Sequence, residues 1–155
     1  MKLAQIMLFA VATILALPSQ AQTASDMEIL RQKVKADKKL VVAANMQLTD
    51  AEAKNFWPIY DAYQKDLQAI NQRTGALITI YADAYNQGPV TDETAKKLLT
   101  ESMAIETAEV KLKDVYVPRF EKAIPEMKVA RYIQIESKIH AVMRYEMASQ
   151  IPLVQ

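Results

Sequence analysis

From Thr49 to Asn86 the core-side positions return every three or four residues: Ala53, Phe56, Tyr60, Tyr63, Leu67, Ile70, Thr74, Leu77, Tyr81 and Ala84. This sustained heptad is the pattern of a long helix packed at a small angle against a partner. Running to Asn86, it would span roughly 55 Å at about 1.5 Å per residue, so the molecule is expected to be elongated. Its beginning is written in "LTDAE", Leu48–Glu52. Thr49-x-x-Glu52 is a capping box: the hydroxyl accepts from a first-turn amide, and the carboxylate reaches back to the amide of the cap. Asp50 and Glu52 also suit the positive end of the helix dipole. Gly75 is a soft point within the run.

Three further helices are predicted. The first runs from about Asp26 to Met46, with Ser25 as candidate cap, and places Met27, Leu30, Val34, Val41 and Ala44 on one face. Its other face, "RQKVKADKK", is either a solvated surface or a patch for acidic partners. "NQGPVTD", Asn86–Asp92, is a turn in which Gly88 can take positive φ, Pro89 stops the helix and Thr91 caps the next. The third helix runs from Asp92 to about Lys122 with a wide stripe of Leu98, Leu99, Met103, Ile105, Val110, Leu112, Tyr116 and Phe120. Pro125 fits the first position of a fourth helix, which presents Val129, Tyr132, Ile133, Ile139, Met143 and Met147 and ends before Pro152. No segment alternates as a strand would. The expected fold class is all-α, an elongated four-helix hairpin bundle.

Pro58 and Pro118 fall inside predicted helices. Each removes a backbone hydrogen bond and presses on the carbonyl four residues back, costing about 3 kcal/mol in an ordinary helix interior. Pro58 lies between core positions Phe56 and Tyr60 and is expected to face outward, where it either sets a bend with the apolar face concave or is a tolerated kink.

The chain has 155 residues. Lys2, the apolar run Ile6–Leu17 and the small residues Ser19 and Ala21 in "PSQA" read as a signal peptide over residues 1–21, leaving a single all-helical domain over 22–155. The run is short for a membrane span, and an uncleaved anchor is the rival reading. Cleavage near Ala21 implies an exported protein. There is no cysteine, so neither a lipoprotein signal nor thiol chemistry is expected. Lys and Arg number 19 against 18 Asp and Glu, and loss of Lys2 would equalise them. That balance argues against nucleic-acid binding, which needs a basic footprint. With two glycines, one histidine and no recognisable nucleophile set, neither an enzyme nor a cofactor is expected. Past residue 21 no stretch is long and apolar enough to span a bilayer.

An exported, cysteine-free, helical chain with "LTDAE" opening a long helix resembles the Spy/CpxP group of periplasmic proteins, whose hallmark is an LTxxQ motif at two helix starts. Leu48 and Thr49 match the first copy, with Glu52 in place of Gln. "AIPEMK", Ala123–Lys128, stands where the second should be and keeps Pro125 and Glu126 without Thr or Gln; "VTDET", Val90–Thr94, is a weaker echo. The resemblance implies a bent four-helix protomer pairing into a cradle-shaped homodimer. It also implies an ATP-independent chaperone function, or a regulator of envelope stress sensors, or a heavy-metal binder.

Glu136 and His140 interrupt the apolar side of the fourth helix, and Glu106 and Glu109 that of the third. A buried carboxylate needs a partner. Glu136 and His140, one turn apart, can pair with each other and fix helix register. Alternatively Glu136, His140, Met143 and Met147 are ligand candidates for zinc, nickel or copper(I), although one histidine falls short of a closed zinc site. Tyr60, Tyr63, Tyr81, Tyr85, Tyr116, Tyr132 and Tyr145 are core or dimer contacts, or line a groove for unfolded chains. Phe56, Tyr60, Tyr63 and Leu67 are the candidate client-binding residues. The expected function is an exported, ATP-independent, chaperone-like protein that binds non-native or envelope proteins on a curved helical surface. The alternatives are an envelope stress or metal-responsive regulator acting on a membrane sensor, and a purely structural helical protein.

Overall fold

The structure is a computed structural model that describes Ile29 and residues 37–154. The leader-like residues 1–21, the Ser25 cap and the apolar positions Met27, Leu30 and Val34 lie outside the described residues. Among those described, all regular structure is helical: α1 (residues 37–46), α2 (Asp50–Gln87), α3 (Asp92–Glu121) and α4 (Glu126–Gln150). No described helix is long and apolar enough to cross a membrane.

Cross-helix pairs fix the topology. Lys38 of α1 reaches Gln64 of α2, while Met46 lies just before the start of α2, so the two run antiparallel. Tyr63 faces Tyr116 and Arg73 faces Glu101, closing α2 and α3 into a hairpin. His140 lies against Glu109 and Arg144 against Glu106, so α4 returns antiparallel to α3. The core is aromatic. Phe56, Tyr60, Tyr63, Tyr116, Phe120 and Tyr132 are buried together, with Val41, Val42 and Met46 of α1 packed on them.

The α2 pattern translates directly. Every one of its ten core-side positions is buried or half-buried over the 38 residues of the helix. Thr49 is the N-cap with a complete capping box: the Glu52 amide donates to Thr49 Oγ1 (3.3 Å) and the Thr49 amide donates to Glu52 Oε2 (2.7 Å). Gln47, at φ 49°, takes the left-handed conformation that turns the chain out of α1. Lys128 of α4 then clamps the junction, donating to Glu52 Oε2 (2.5 Å) and to the Gln47 carbonyl (2.9 Å). The "LTDAE" and "AIPEMK" segments are therefore docked on each other. The Lys128 hydrogen bond, followed by that of the Thr49 backbone, holds the Glu52 carboxyl below its ordinary pKa. Thr49→Ala is expected to lower the unfolding free energy by about 1 kcal/mol in urea titrations, with Thr49→Ser close to neutral. An alanine variant as stable as the parent would show that Lys128 alone holds this corner.

Other expectations shift. In α1 the buried face is Val41, Val42 and Met46, while Ala44 is exposed, because the helix presents the side next to Val42 to the aromatic core. Pro125 is the N-cap of α4 rather than its first helical residue: its φ of −56° and ψ of 142° are extended, and its carbonyl accepts from Val129 at 3.1 Å. The wide stripe of α3 divides in two. Ile105, Tyr116 and Phe120 are buried and Leu98 and Leu112 half-buried, whereas Leu99, Met103 and Val110 point into solvent. The α2–α3 hairpin covers only one of these two neighbouring faces. Gly88 takes positive φ and Thr91 caps α3, as the turn chemistry requires. Pro58 and Pro118 are both exposed, and their helices continue through them.

Candidate functional site

Two features stand out where α2, α3 and α4 meet: a buried polar layer and, adjoining it, a groove of mixed apolar and polar lining. The layer is built on Glu136, which is 5% exposed. Lys38 Nζ donates to Glu136 Oε2 (2.8 Å) and to Gln64 Oε1 (2.8 Å). Gln64 Nε2 donates to Glu136 Oε1 (3.0 Å) and to the Tyr132 hydroxyl (3.2 Å). Both carboxylate oxygens and both ends of the amide are thus engaged, the condition under which a buried charge is tolerated. Burial chiefly, and the Glu136 charge after it, push the phenols of Tyr60, Tyr63 and Tyr132 well above the ordinary tyrosine pKa.

This layer replaces the expected Glu136–His140 pair. Glu136 bonds across to α1 and α2, and His140 turns to α3, its Nε2 lying 3.3 Å from Glu109 Oε1. Arg144 joins there, 3.4 Å from Glu106 and 3.8 Å from Glu109. It also removes Glu136 from the metal-ligand candidates, because an ammonium already occupies one of its oxygens and would repel a cation. His140, Met143 and Met147 line the same cavity as Glu136, but among the described residues no group of three or more His, Cys, Asp or Glu is placed to hold a metal. The basic face of α1 is likewise partly spent inside the molecule. Lys38 feeds the layer, and Lys39 pairs with Asp61 at 2.6 Å beneath the Trp57 ring.

Lys38→Met would leave Glu136 with Gln64 as its remaining donor. Stripping one partner from a fully buried pair costs about 3–5 kcal/mol. Lys38 is 26% exposed, so water offsets part of the loss and about 2 kcal/mol is expected. The double variant Lys38→Met with Glu136→Met should recover most of it. A double-mutant cycle by urea unfolding checks this, and additive losses would show that the pair is not coupled.

The candidate client surface needs correction. Phe56, Tyr60 and Tyr63 are core residues, packed on Phe120, Tyr116 and Tyr132, and offer nothing to a partner without unfolding. Leu67 is half-buried and does reach an accessible surface: a cavity of about 330 Å³ between α2, α3 and α4. Leu67, Leu77 and Ile78 wall it from α2, Ile105 from α3, and Ile139, Met143 and Met147 from α4. Lys38, Glu109, Glu136, His140 and Arg144 line it as well, with Asn71, Thr74 and Ser102. Apart from Leu67, the large apolar α2 residues that wall it are Leu77 and Ile78, a few turns beyond the aromatic positions singled out from sequence. Nothing local marks them as different from core positions.

No protein-family model, curated protein or solved structure matches this chain.

Proposed function

We propose that the protein is an exported, ATP-independent, chaperone-like binder of non-native or envelope polypeptides, which it takes on the groove between α2, α3 and α4. The observation that carries this reading is the groove itself. Aliphatic and methionine side chains make up much of its wall beside a charged and polar edge, and on α3 Leu99 and Met103 are exposed as well. An exposed apolar patch on a small protein marks an interaction site. Two methionines in the wall let it adapt to different side chains, as promiscuous binders require. Desolvating apolar surface supplies the driving force, so no nucleotide is needed. The leader-like residues 1–21 support export, and the mature chain is expected to begin at Gln22.

The test is light scattering from a chemically denatured client diluted into buffer. The protein should suppress aggregation at near-stoichiometric ratios. Met143→Glu, at an exposed part of the groove wall, should raise the amount needed about fivefold, equivalent to about 1 kcal/mol. Val115→Glu adds the same charge to an exposed position outside the groove and should change nothing. No suppression at several-fold molar excess, or equal effects of the two substitutions, would overturn the proposal.

A further inference from the structure

At the far end of the groove the chain folds back on itself. α4 stops at Gln150, Ile151 is extended at φ −94° and ψ 115°, and Pro152 cannot continue a helix. Ile151–Val154 then lie against the α2–α3 hairpin without helical structure of their own. Besides the Ile151 amide, which caps α4 by donating to the Met147 carbonyl at 3.2 Å, one hydrogen bond among the described residues ties them to the hairpin: the Tyr81 hydroxyl donates to the Pro152 carbonyl at 2.9 Å. Cavities of about 400 Å³ and about 380 Å³ flank this contact and share Ile78, Tyr81, Ile151 and Pro152. Leu77, Ile78, Leu98 and Leu99 wall the second. The fit is loose, since Leu153 is 87% exposed and Val154 is also in solvent.

We propose that this distal end is a binding seat for extended apolar peptide segments, and that Ile151–Val154 occupy it in the free protein as an internal competitor. The seat holds the tail through a main-chain carbonyl and an apolar wall. Neither contact selects one side chain, so any extended segment rich in Leu, Ile and Val can replace it. A segment with Pro152, Leu153 and Val154 exposed and one described hydrogen bond to the hairpin is readily displaced, while its tethering returns it to the seat between clients. The inference rests on the chaperone reading for its class of ligand but stands on its own geometry.

The probe is a fluorescein-labelled synthetic peptide copying Ser149–Gln155, followed by anisotropy. A chain ending at Gln150 should bind it about tenfold or more tightly than the full mature chain, because the tethered competitor is gone. Ile151→Glu in the full chain, which alters the tail and leaves the α2–α3 wall intact, should release the tail and raise peptide binding above the parent, whereas Tyr81→Phe in the shortened chain should weaken binding severalfold. If the shortened chain keeps its helical circular dichroism yet binds no better than the full chain, the proposal fails. If the shortened chain does not fold, the Ile151→Glu full-length protein decides, and binding equal to the parent overturns the seat. Peptide binding without suppression of aggregation would reject the chaperone reading and keep the seat. Suppression with no peptide binding in any variant would reject the seat and keep the chaperone reading.

Discussion

Above about pH 10 the folded protein is expected to lose stability at about 4 kcal/mol per pH unit. Tyr60, Tyr63 and Tyr132 are each at most 3% exposed, and burial, reinforced by the Glu136 carboxylate, raises their pKa values. In the unfolded chain a tyrosine ionises near pH 10. Between that value and the raised folded values, the unfolded chain has released protons that the folded chain still holds. The unfolded state then binds fewer protons, so the unfolding free energy falls as pH rises. The stabilisation is complete below the unfolded pKa and disappears as the pH climbs toward the folded ones. Each tyrosine contributes about 1.4 kcal/mol per unit, and three act together. Urea unfolding at a series of alkaline pH values, followed by circular dichroism, gives the slope. Tyr132→Phe should reduce it by about a third. Ionisation of all three phenols with the helices intact would contradict the burial on which the core depends.

Phe56→Ala is expected to cost about 4 kcal/mol, a large part of the stability of a domain this size. Its ring is fully buried, with centroids 5.0 Å from Trp57, 5.1 Å from Tyr132, 5.3 Å from Phe120 and 5.9 Å from Tyr60. The four neighbours come from α2, α3 and α4, so a cavity there cannot close by moving one side chain. Unfolding in urea measures the loss, with exposed Val115→Ala as a reference near zero. A cost below about 1 kcal/mol would return Phe56 to the surface and restore it as a client contact.

The helices were legible because their punctuation is local. Thr49 and Glu52, Gly88 and Pro89, and Thr91 each act within one turn, and the α2 heptad needs no knowledge of what it packs against. The choice of partner face was not legible. In α3, Leu98, Ile105 and Leu112 lie beside Leu99, Met103 and Val110, and only the placement of α2 and α4 decides which series is covered. The polar layer was hidden for a related reason. Glu136 stands 98 positions from Lys38 and 72 from Gln64, and a lysine or glutamine on a helix reads as solvated until its partner is known. Glu136 does need a partner, but it takes Lys38 and Gln64 across the bundle, while His140, its neighbour in sequence, turns to Glu109. The groove leaves still less trace, since an opening between three helices is a property of their spacing and not of any residue in it.

On the proposed function, the groove between α2, α3 and α4 takes polypeptide. Titrating a permanently unfolded client, such as reduced and alkylated α-lactalbumin, into isotopically labelled protein and following the backbone amide resonances tests it most directly. Shifts clustered at Ile78, Ser102, Ile105, Met143 and Met147 are predicted, with the Thr49–Lys128 junction unmoved. No shifts at saturating client, or shifts gathered at that junction or around Val115, would contradict it.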